Sequence, residues 1–283
     1  MDQELVKNLK KICCFKYEIN DKDECISLDF SDDSHYGSSI RRNPGKKDIL
    51  NVLSRFKSLE YINLRKARID YFPPMDLSKL LFLDLSCNNL TEIPDSVKSA
   101  RGIRHINLGA NKIKEVPDYF SNLELHSFKI HKNPLIYMPD LKNTLKVLNI
   151  YLVKLKEIPD FVFRLNNIKT FSYGCLSRLS NFERLCELNN LENLCLVANK
   201  LNYISDSFLE LNKLKVLMLS KNMLKSLPDK IGSMNIKEIY LHGNFIEKLP
   251  EFFFELKLEK VNLLNNPLDR ELILNRLSGL SYL

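Results

Sequence analysis

Residues 214–231 read LKVLMLSKNMLKSLPDKI, and the same pattern recurs from Leu59 to near the C-terminus. Its apolar positions are Leu214, Leu217, Leu219, Leu224 and Leu227, with Asn222 between the two halves and Pro228 and Asp229 at the close. Leu217 and Leu219 are two residues apart, so on a strand they point to one face, toward the core. Lys215, Val216, Met218, Ser220 and Lys221 are left to face outward. At Asn222 the chain must turn, and an asparagine side chain can bond the backbone groups that a turn leaves unpaired. Pro228 forbids a ladder hydrogen bond, and Asp229 is placed to cap a short helical turn. One copy of this stretch cannot bury its own leucines; stacked copies can.

Copies begin at Leu59, Leu80, Ile103, Leu125, Leu145, Ile168, Leu191, Leu214, Ile236 and Leu258, spaced by 21, 23, 22, 20, 23, 23, 23, 22 and 22 residues. Turn asparagines recur at Asn88, Asn111, Asn133, Asn199, Asn222, Asn244 and Asn266, and the proline is followed by an acid in most repeats, as at Pro94–Asp95 and Pro117–Asp118. The pattern L-x-x-L-x-L-x-x-N-x-L with an I-P-D-x-[FV] return resembles leucine-rich repeats of the intracellular 22–23-residue class, over residues 25–277. The resemblance implies a curved right-handed solenoid with a parallel β-sheet on the concave face and helical caps at both ends. Repeats five and six depart from it: Val153 and Leu176 stand where asparagine is expected, and Phe182 replaces the proline. An interrupted asparagine ladder is expected there.

Around the repeats the chain divides into residues 1–24, a capping helix and linker; 25–58, a degenerate first rung with a loop and helix inserted; 59–268, the ten repeats; and 269–283, a C-terminal helical cap. Leu5, Val6, Leu9, Ile12 and Cys13 fall at helical spacing within residues 3–15, the expected N-terminal cap. Residues 31–46 mix Ser, Asp, Gly and Pro and read as a surface loop. Ile49, Leu50, Leu53 and Phe56 share a helical face after it, and Leu272, Ile273 and Leu277 point inward from the last helix.

The net charge of +7 is spread along the chain as scattered lysines, which read as solvated faces. The seven cysteines are irregularly spaced, without C-x-x-C or zinc spacing. The N-terminus lacks the apolar core of a signal peptide, and no run reaches the ~18 apolar residues of a membrane span. These features point to a reduced, cytoplasmic protein with no membrane contact. The eight glycines form neither G-x-G-x-x-G nor G-x-x-x-x-G-K, and the five histidines form no H-E-x-x-H. No G-x-S-x-G is present. The reading is a non-enzyme with no cofactor and no metal.

The strand register predicts which side chains line the concave face. Early repeats present Tyr61, Phe82, Arg104, His105, Lys129 and His131, an aromatic and basic set. Later ones present Val147, Tyr151, Leu152, Val197, Val216, Met218 and Tyr240. Apolar side chains on adjacent rungs mark an interaction site when they form a patch of a few hundred Å², and tyrosine and methionine are frequent anchors. The expected function is a non-catalytic protein-interaction module: a scaffold, adaptor or regulatory subunit. Self-association into a homodimer or larger homo-oligomer, through the same stripe or a terminal rung, is the alternative. Nucleic-acid binding through Arg65, Lys66, Arg104, Lys129 and Lys132 is weaker, because Asp29 and Asp84 share that face.

Overall fold

The computed structural model describes residues 2–10, 15–31, 46–176 and 178–277, with the side chains of residues 46–49, 270, 272 and 274 excepted. Two compact units divide the chain at Leu145 and Lys146. Each is a leucine-rich repeat solenoid in which every repeat supplies one short parallel strand.

The first unit opens with α1 (Asp2–Lys10), whose Leu5, Val6 and Leu9 are buried. Strand β1 (Lys16–Ile19) then pairs antiparallel with β2 (Cys25–Asp29). The sequence reading had only a helix and linker before residue 25. Four residues are too short for the alternation in KYEI to stand out, and antiparallel pairing with β2 is what makes them a strand. Residues 11–14 of the expected helix, and 32–45 of the expected loop, lie outside the described residues. After α2 (Lys46–Leu53) come β3 (Tyr61–Asn63), β4 (Phe82–Asp84), β5 (His105–Asn107) and β6 (Ser127–Lys129). Strands β2 to β6 are parallel, and Leu28, Ile62, Leu83, Ile106 and Phe128 stack in register as one row of the core.

The second unit contains β7 (Val147–Tyr151), β8 (Thr170–Gly174), β9 (Asn193–Cys195), β10 (Val216–Met218), β11 (Glu238–Tyr240) and β12 (Lys260–Asn262), then α3 (Arg270–Arg276). Leu148, Phe171, Leu194, Leu217, Ile239 and Val261 form the equivalent buried row. Leu50, Leu53 and Phe56 in and after α2 are buried as expected, and so are Ile273 of α3 and Leu277 just after it. Behind the strands the return segments form 3-10 turns such as Asp95–Ser99 and Asp229–Ser233. Pro94 and Pro228 occupy the capping positions without a side-chain bond, and the acid is the first residue inside the turn. Asp229 is therefore not the cap. It sits where the positive end of the turn favours a carboxylate.

Past their strands most rungs turn through a left-handed residue. Cys87, Ala110, Lys132, Ala198, Lys221 and Asn265 have φ near +60°, each immediately before a turn asparagine; Gly243 is the glycine in this position. A side-chain-bearing residue in that region costs about 1 kcal/mol or more. The asparagine offsets the cost by bonding across two rungs. Asn111 is buried, donates to Leu85 O at 2.9 Å and Leu108 O at 3.0 Å, and accepts from Leu90 N at 3.0 Å. Asn222 donates to Leu196 O and Leu219 O, both at 2.8 Å, and accepts from Asn199 N at 2.9 Å and Leu201 N at 3.0 Å.

Within the second unit the ladder starts only at Asn199, and its first repeats solve the problem differently. Here β7 and β8 extend to five residues, pairing Ile150 with Tyr173 and Tyr151 with Gly174. Buried Tyr173 donates its hydroxyl to Leu155 O at 2.9 Å. Asn181 brackets Ile158, accepting from its N–H at 3.3 Å and donating to its carbonyl at 2.8 Å. Phe182, at the missing proline, packs against Tyr203 and Phe208 with ring centroids 5.6 and 5.8 Å apart.

Candidate functional site: the outward sheet faces

In the first unit three rows of side chains stand on the sheet. Tyr61, Phe82 and His105 share one register position on β3, β4 and β5. The Tyr61 and Phe82 rings are stacked, 4.4 Å between centroids and 8° from parallel. His105 follows at 6.3 Å from Phe82, and His126 meets His105 edge-on at 6.1 Å. Stacking on neighbouring strands follows from the strand spacing of about 4.8 Å, close to the separation that rings prefer.

The middle row is Asp29, Asn63, Asp84, Asn107 and Lys129. It is tied to itself. Asn63 donates to Ser31 Oγ at 3.1 Å, and Asn107 donates to Asp84 Oδ2 at 2.8 Å. Asp29 accepts from Ser31 N and Oγ at 2.8 and 2.6 Å, and Asp84 accepts from Ser86 in the same way. Asn63 and Asp84 are buried by these contacts rather than displayed. Burial pushes the Tyr61 hydroxyl up from its ordinary pKa; the bond from Asn63 opposes this, and the charges of Asp29 and Asp84 add to it.

Of the predicted basic residues, Lys129 is exposed, while Arg104 reaches Glu124 at 3.3 Å. His131 is half-buried over Gly109, where a Cβ would stand 2.2 Å from its ring. Its Nδ1 is buried without a partner. Burial, then Lys132 and Lys129, lower its pKa, with Asp84 opposing. Neutral imidazole is the favoured form.

In the second unit the same rows carry different chemistry. The first is Val147, Thr170, Asn193, Val216, Glu238 and Lys260; the middle is Asn149, Ser172, Cys195, Met218, Tyr240 and Asn262. Val147, Tyr151, Val197, Val216, Met218 and Tyr240 are all half-buried. Tyr151 lies against Gly174, where a Cβ would come within 2.5 Å of its ring. Leu152 is not on the strand but is the left-handed turn residue, φ 55°. Ser220, expected to face out, is buried at 1 % exposure and its hydroxyl lacks a partner. Tyr240 donates to Glu238 at 2.8 Å, and Glu238 also takes Lys260 at 2.8 Å.

Two exposed apolar side chains of this unit lie one step further along the rung. Met223 and Phe245, 48 % and 55 % exposed, follow the turn asparagines of repeats eight and nine. The sequence reading passed over them, having tracked strand positions only. The signal was legible: Lys112 and Lys200 hold the same position in other repeats. The bands thus run Val216–Met218–Met223 on one rung and Tyr240–Phe245 on the next.

Among the described residues no group of three or more His, Cys, Asp or Glu could hold a metal, and no helix is long and apolar enough to cross a membrane. Cys195 lies in the middle row; burial raises its thiol pKa, with hydrogen bonds to Val197 and Ser172 opposing. That is the reverse of what a nucleophilic cysteine needs.

Comparison with known proteins bears on the fold. A model of the Leucine Rich Repeat family matches residues 79–100. The chain is 27% identical over 166 residues to leucine-rich repeat-containing G-protein coupled receptor 4 of Xenopus tropicalis, covering 57% of this chain and 15% of that protein. It is 29% identical over 206 residues to adenylate cyclase of Schizosaccharomyces pombe, covering 71% and 10%. It thus spans only a small part of either curated relative. Among solved structures it resembles a leucine-rich repeat protein of Leptospira interrogans, with a TM-score of 0.64, 22% identity and coverage of 82% of this chain and 74% of that one. An internalin from Listeria monocytogenes gives a TM-score of 0.67 at 19% identity, over 82% and 68% of the two chains. The Arabidopsis receptor kinase HAESA, solved with a peptide hormone and a co-receptor, gives 0.65 at 21% identity, over 94% and 47%. These likenesses show the fold.

Proposed function

We propose that this leucine-rich repeat protein is a protein-binding module without catalysis of its own, and that its partner lies on the outward sheet faces. The observation that carries the reading is the apolar band of the second unit. Val197, Val216, Met218 and Tyr240 stand on neighbouring rungs, and the exposed Met223 and Phe245 prolong two of those rungs. The fold does not require apolar side chains at these positions, since Asn, Ser, Lys and Asp hold them elsewhere in the chain. A contiguous apolar patch in water is stabilised by being covered, and methionine and tyrosine are typical interface anchors. In this reading Tyr61, Phe82, Arg104, His105, Lys129 and His131 of the first unit, with Val147, Tyr151 and Leu152 of the second, supply further contacts. The described free cysteines, Cys25, Cys87, Cys175, Cys186 and Cys195, suit a reducing compartment; we infer an intracellular location from them.

The test is to purify the chain from its own cells, measure its native mass and identify what stays bound. Met218→Lys and Tyr240→Lys should each release the bound protein while the circular dichroism and melting temperature hold. Retention of the partner by both variants would refute the apolar band as its site. A clean homodimer that these variants split would assign the band to self-association.

A further inference from the structure

The stacked rings of the first unit end abruptly at Tyr61. One face of its ring is covered by Phe82. Beyond the other face the register places Ser27, whose side chain is too small to continue the stack. The result is a hollow of about 320 Å³ lined by Lys16, Tyr17, Glu18, Ser27, Asp29 and Tyr61. Glu18 stands across β1 from Ser27, so it faces Tyr61 over the hollow, while Asp29 is two residues along from Ser27 on the same side of β2. The lining carries two carboxylates against one ammonium, that of Lys16, and Asp84 adds a third carboxylate on the neighbouring side of Tyr61. An uncovered tyrosine face with carboxylates beside it is the environment a guanidinium takes: it stacks within about 6 Å of a ring centroid and its planar fork bonds carboxylates.

The opposite end of the same face has the opposite sign. Lys129, on β6, is exposed in the middle row, and Lys132 is exposed at the turn of that rung. From β2 to β6 is four strand spacings, about 19 Å at ~4.8 Å each. An extended chain covers that distance in about six residues at ~3.3 Å per residue. Between the two ends lie Tyr61, Phe82 and His105, an aromatic row with room for apolar side chains above it.

We propose that the first unit's sheet face receives an extended segment of a protein partner laid across the strands. An arginine of that segment seats in the hollow between Tyr61, Glu18 and Asp29. Apolar side chains lie over Tyr61 and Phe82, and an acidic side chain about six residues from the arginine meets Lys129. A nucleic acid fits this face poorly, since Glu18 and Asp29 would repel its phosphates at one end of the path. The proposal deepens the protein-binding reading by stating what one part of the partner must look like. It concerns the first unit, and so can fail while the apolar band of the second unit stands.

A displayed library of random twelve-residue peptides panned on the full chain tests it. The expected peptides carry arginine or lysine with an acidic residue about six positions away and an apolar residue between. For a selected peptide, synthesised and measured by calorimetry, Glu18→Lys and Lys129→Glu should each weaken binding tenfold or more, and panning on Glu18→Lys should no longer select the basic residue. Glu18 and Lys129 are both exposed, so these variants should fold, and circular dichroism checks that they do. Lys225→Glu, an exposed charge reversal in the second unit outside every surface described above, should leave the affinity unchanged. Peptides without a basic residue, affinities indifferent to the Glu18 and Lys129 reversals, loss of binding in Lys225→Glu, or no enrichment at all would each overturn the proposal. A DNA or RNA oligonucleotide that displaced the selected peptide at physiological salt would do the same, in favour of a nucleic-acid surface.

Discussion

On β3, β4 and β5 the first outward row is Tyr61, Phe82 and His105, and the row beside it is knitted by Asn63, Asp84 and Asn107. On β9, β10 and β11 the corresponding rows read Asn193, Val216 and Glu238, then Cys195, Met218 and Tyr240. The inward rows of the two units are interchangeable leucines, isoleucines and phenylalanines; the outward rows share almost nothing. Burial selects the first set, because a stacked rung must fill the space between its neighbours. Packing constrains the second set far less, so the two units are free to differ there. The first unit's face is polar, ring-stacked and internally bonded. The second carries an apolar band, Val216, Met218 and Tyr240, among polar residues such as Asn149, Ser172 and Asn262, and at its strand starts Glu192 bonds Lys169 and Lys215, both at 2.8 Å.

The largest effect that sharpens this contrast lies in the asparagine ladders. Asn222→Ala orphans Leu196 O, Asn199 N and Leu201 N, while Leu219 O keeps Asn244; Asn111→Ala orphans only Leu90 N, because Leu85 O keeps Asn88 and Leu108 O keeps Asn133. At about 1–3 kcal/mol for each buried group left unsatisfied, partly relieved by water, Asn222→Ala should cost about 4 kcal/mol. The Asn111 variant should cost less, and chemical denaturation measures both. Equal losses would mean that the two extra groups orphaned at Asn222 contribute nothing.

Binding comes next. Met218→Lys should reduce affinity for the natural partner about 100-fold, roughly 2.7 kcal/mol, without lowering the melting temperature. A unit-one change such as Phe82→Ala should cost less than that. A larger loss from Phe82→Ala, measured by calorimetry on the identified partner, would move the main anchor to the first unit.

The two glycine notches differ in what encloses them. A Cβ at Gly174 would meet the Tyr151 ring at 2.5 Å and the backbone oxygen of Val197 at 2.9 Å, and the backbone cannot swing aside. At Gly109 it would meet only the His131 ring, which can turn away. Gly174→Ala should therefore destabilise by about 2 kcal/mol and Gly109→Ala by about 1, with thermal melts as the readout.

Smaller still is the pH response of the two histidines. His131 and His242 each have a pKa lowered first by burial, then by neighbouring lysines: Lys132 and Lys129 for His131, Lys221 for His242. Below the ordinary value near 6.5 the unfolded chain binds protons that the folded histidines refuse. Stability should fall as pH drops through 6.5 and level off below the folded pKa values. His131→Gln should flatten part of that slope in urea denaturation at pH 7.5 and 5.5; an unchanged slope would exclude His131 as a contributor.

The smallest effect belongs to the exposed ion ladder. The hydrogen bonds and charges of Lys169 and Lys215 hold the Glu192 carboxyl down at about 2. Its contribution is present above the ordinary carboxylate range and is lost as pH falls toward 2. Solvent and salt screen it, so Glu192→Gln should move the melting temperature by no more than about 1 °C.

The sequence by itself determined the rung. A leucine period near 22 residues, an asparagine at the turn and a proline before the return leave the chain one way to bury its apolar side chains, by stacking copies. It also determined which residues face outward, because a strand alternates: Tyr61, Phe82, Met218 and Tyr240 could be placed by counting from the buried leucines. Tertiary structure decided what counting cannot reach. Ser220 is covered although its position points out, because how far neighbouring rungs overhang a small side chain is a property of the stack. The five-residue β7 and β8, and the Tyr173 hydroxyl on Leu155 O, stand in for missing asparagines through contacts between repeats, which no single repeat encodes. Strand β1 exists because β2 offers it an edge. The hollow beside Tyr61 exists because three strands from separate parts of the sequence bring Glu18, Ser27 and an uncovered aromatic face together.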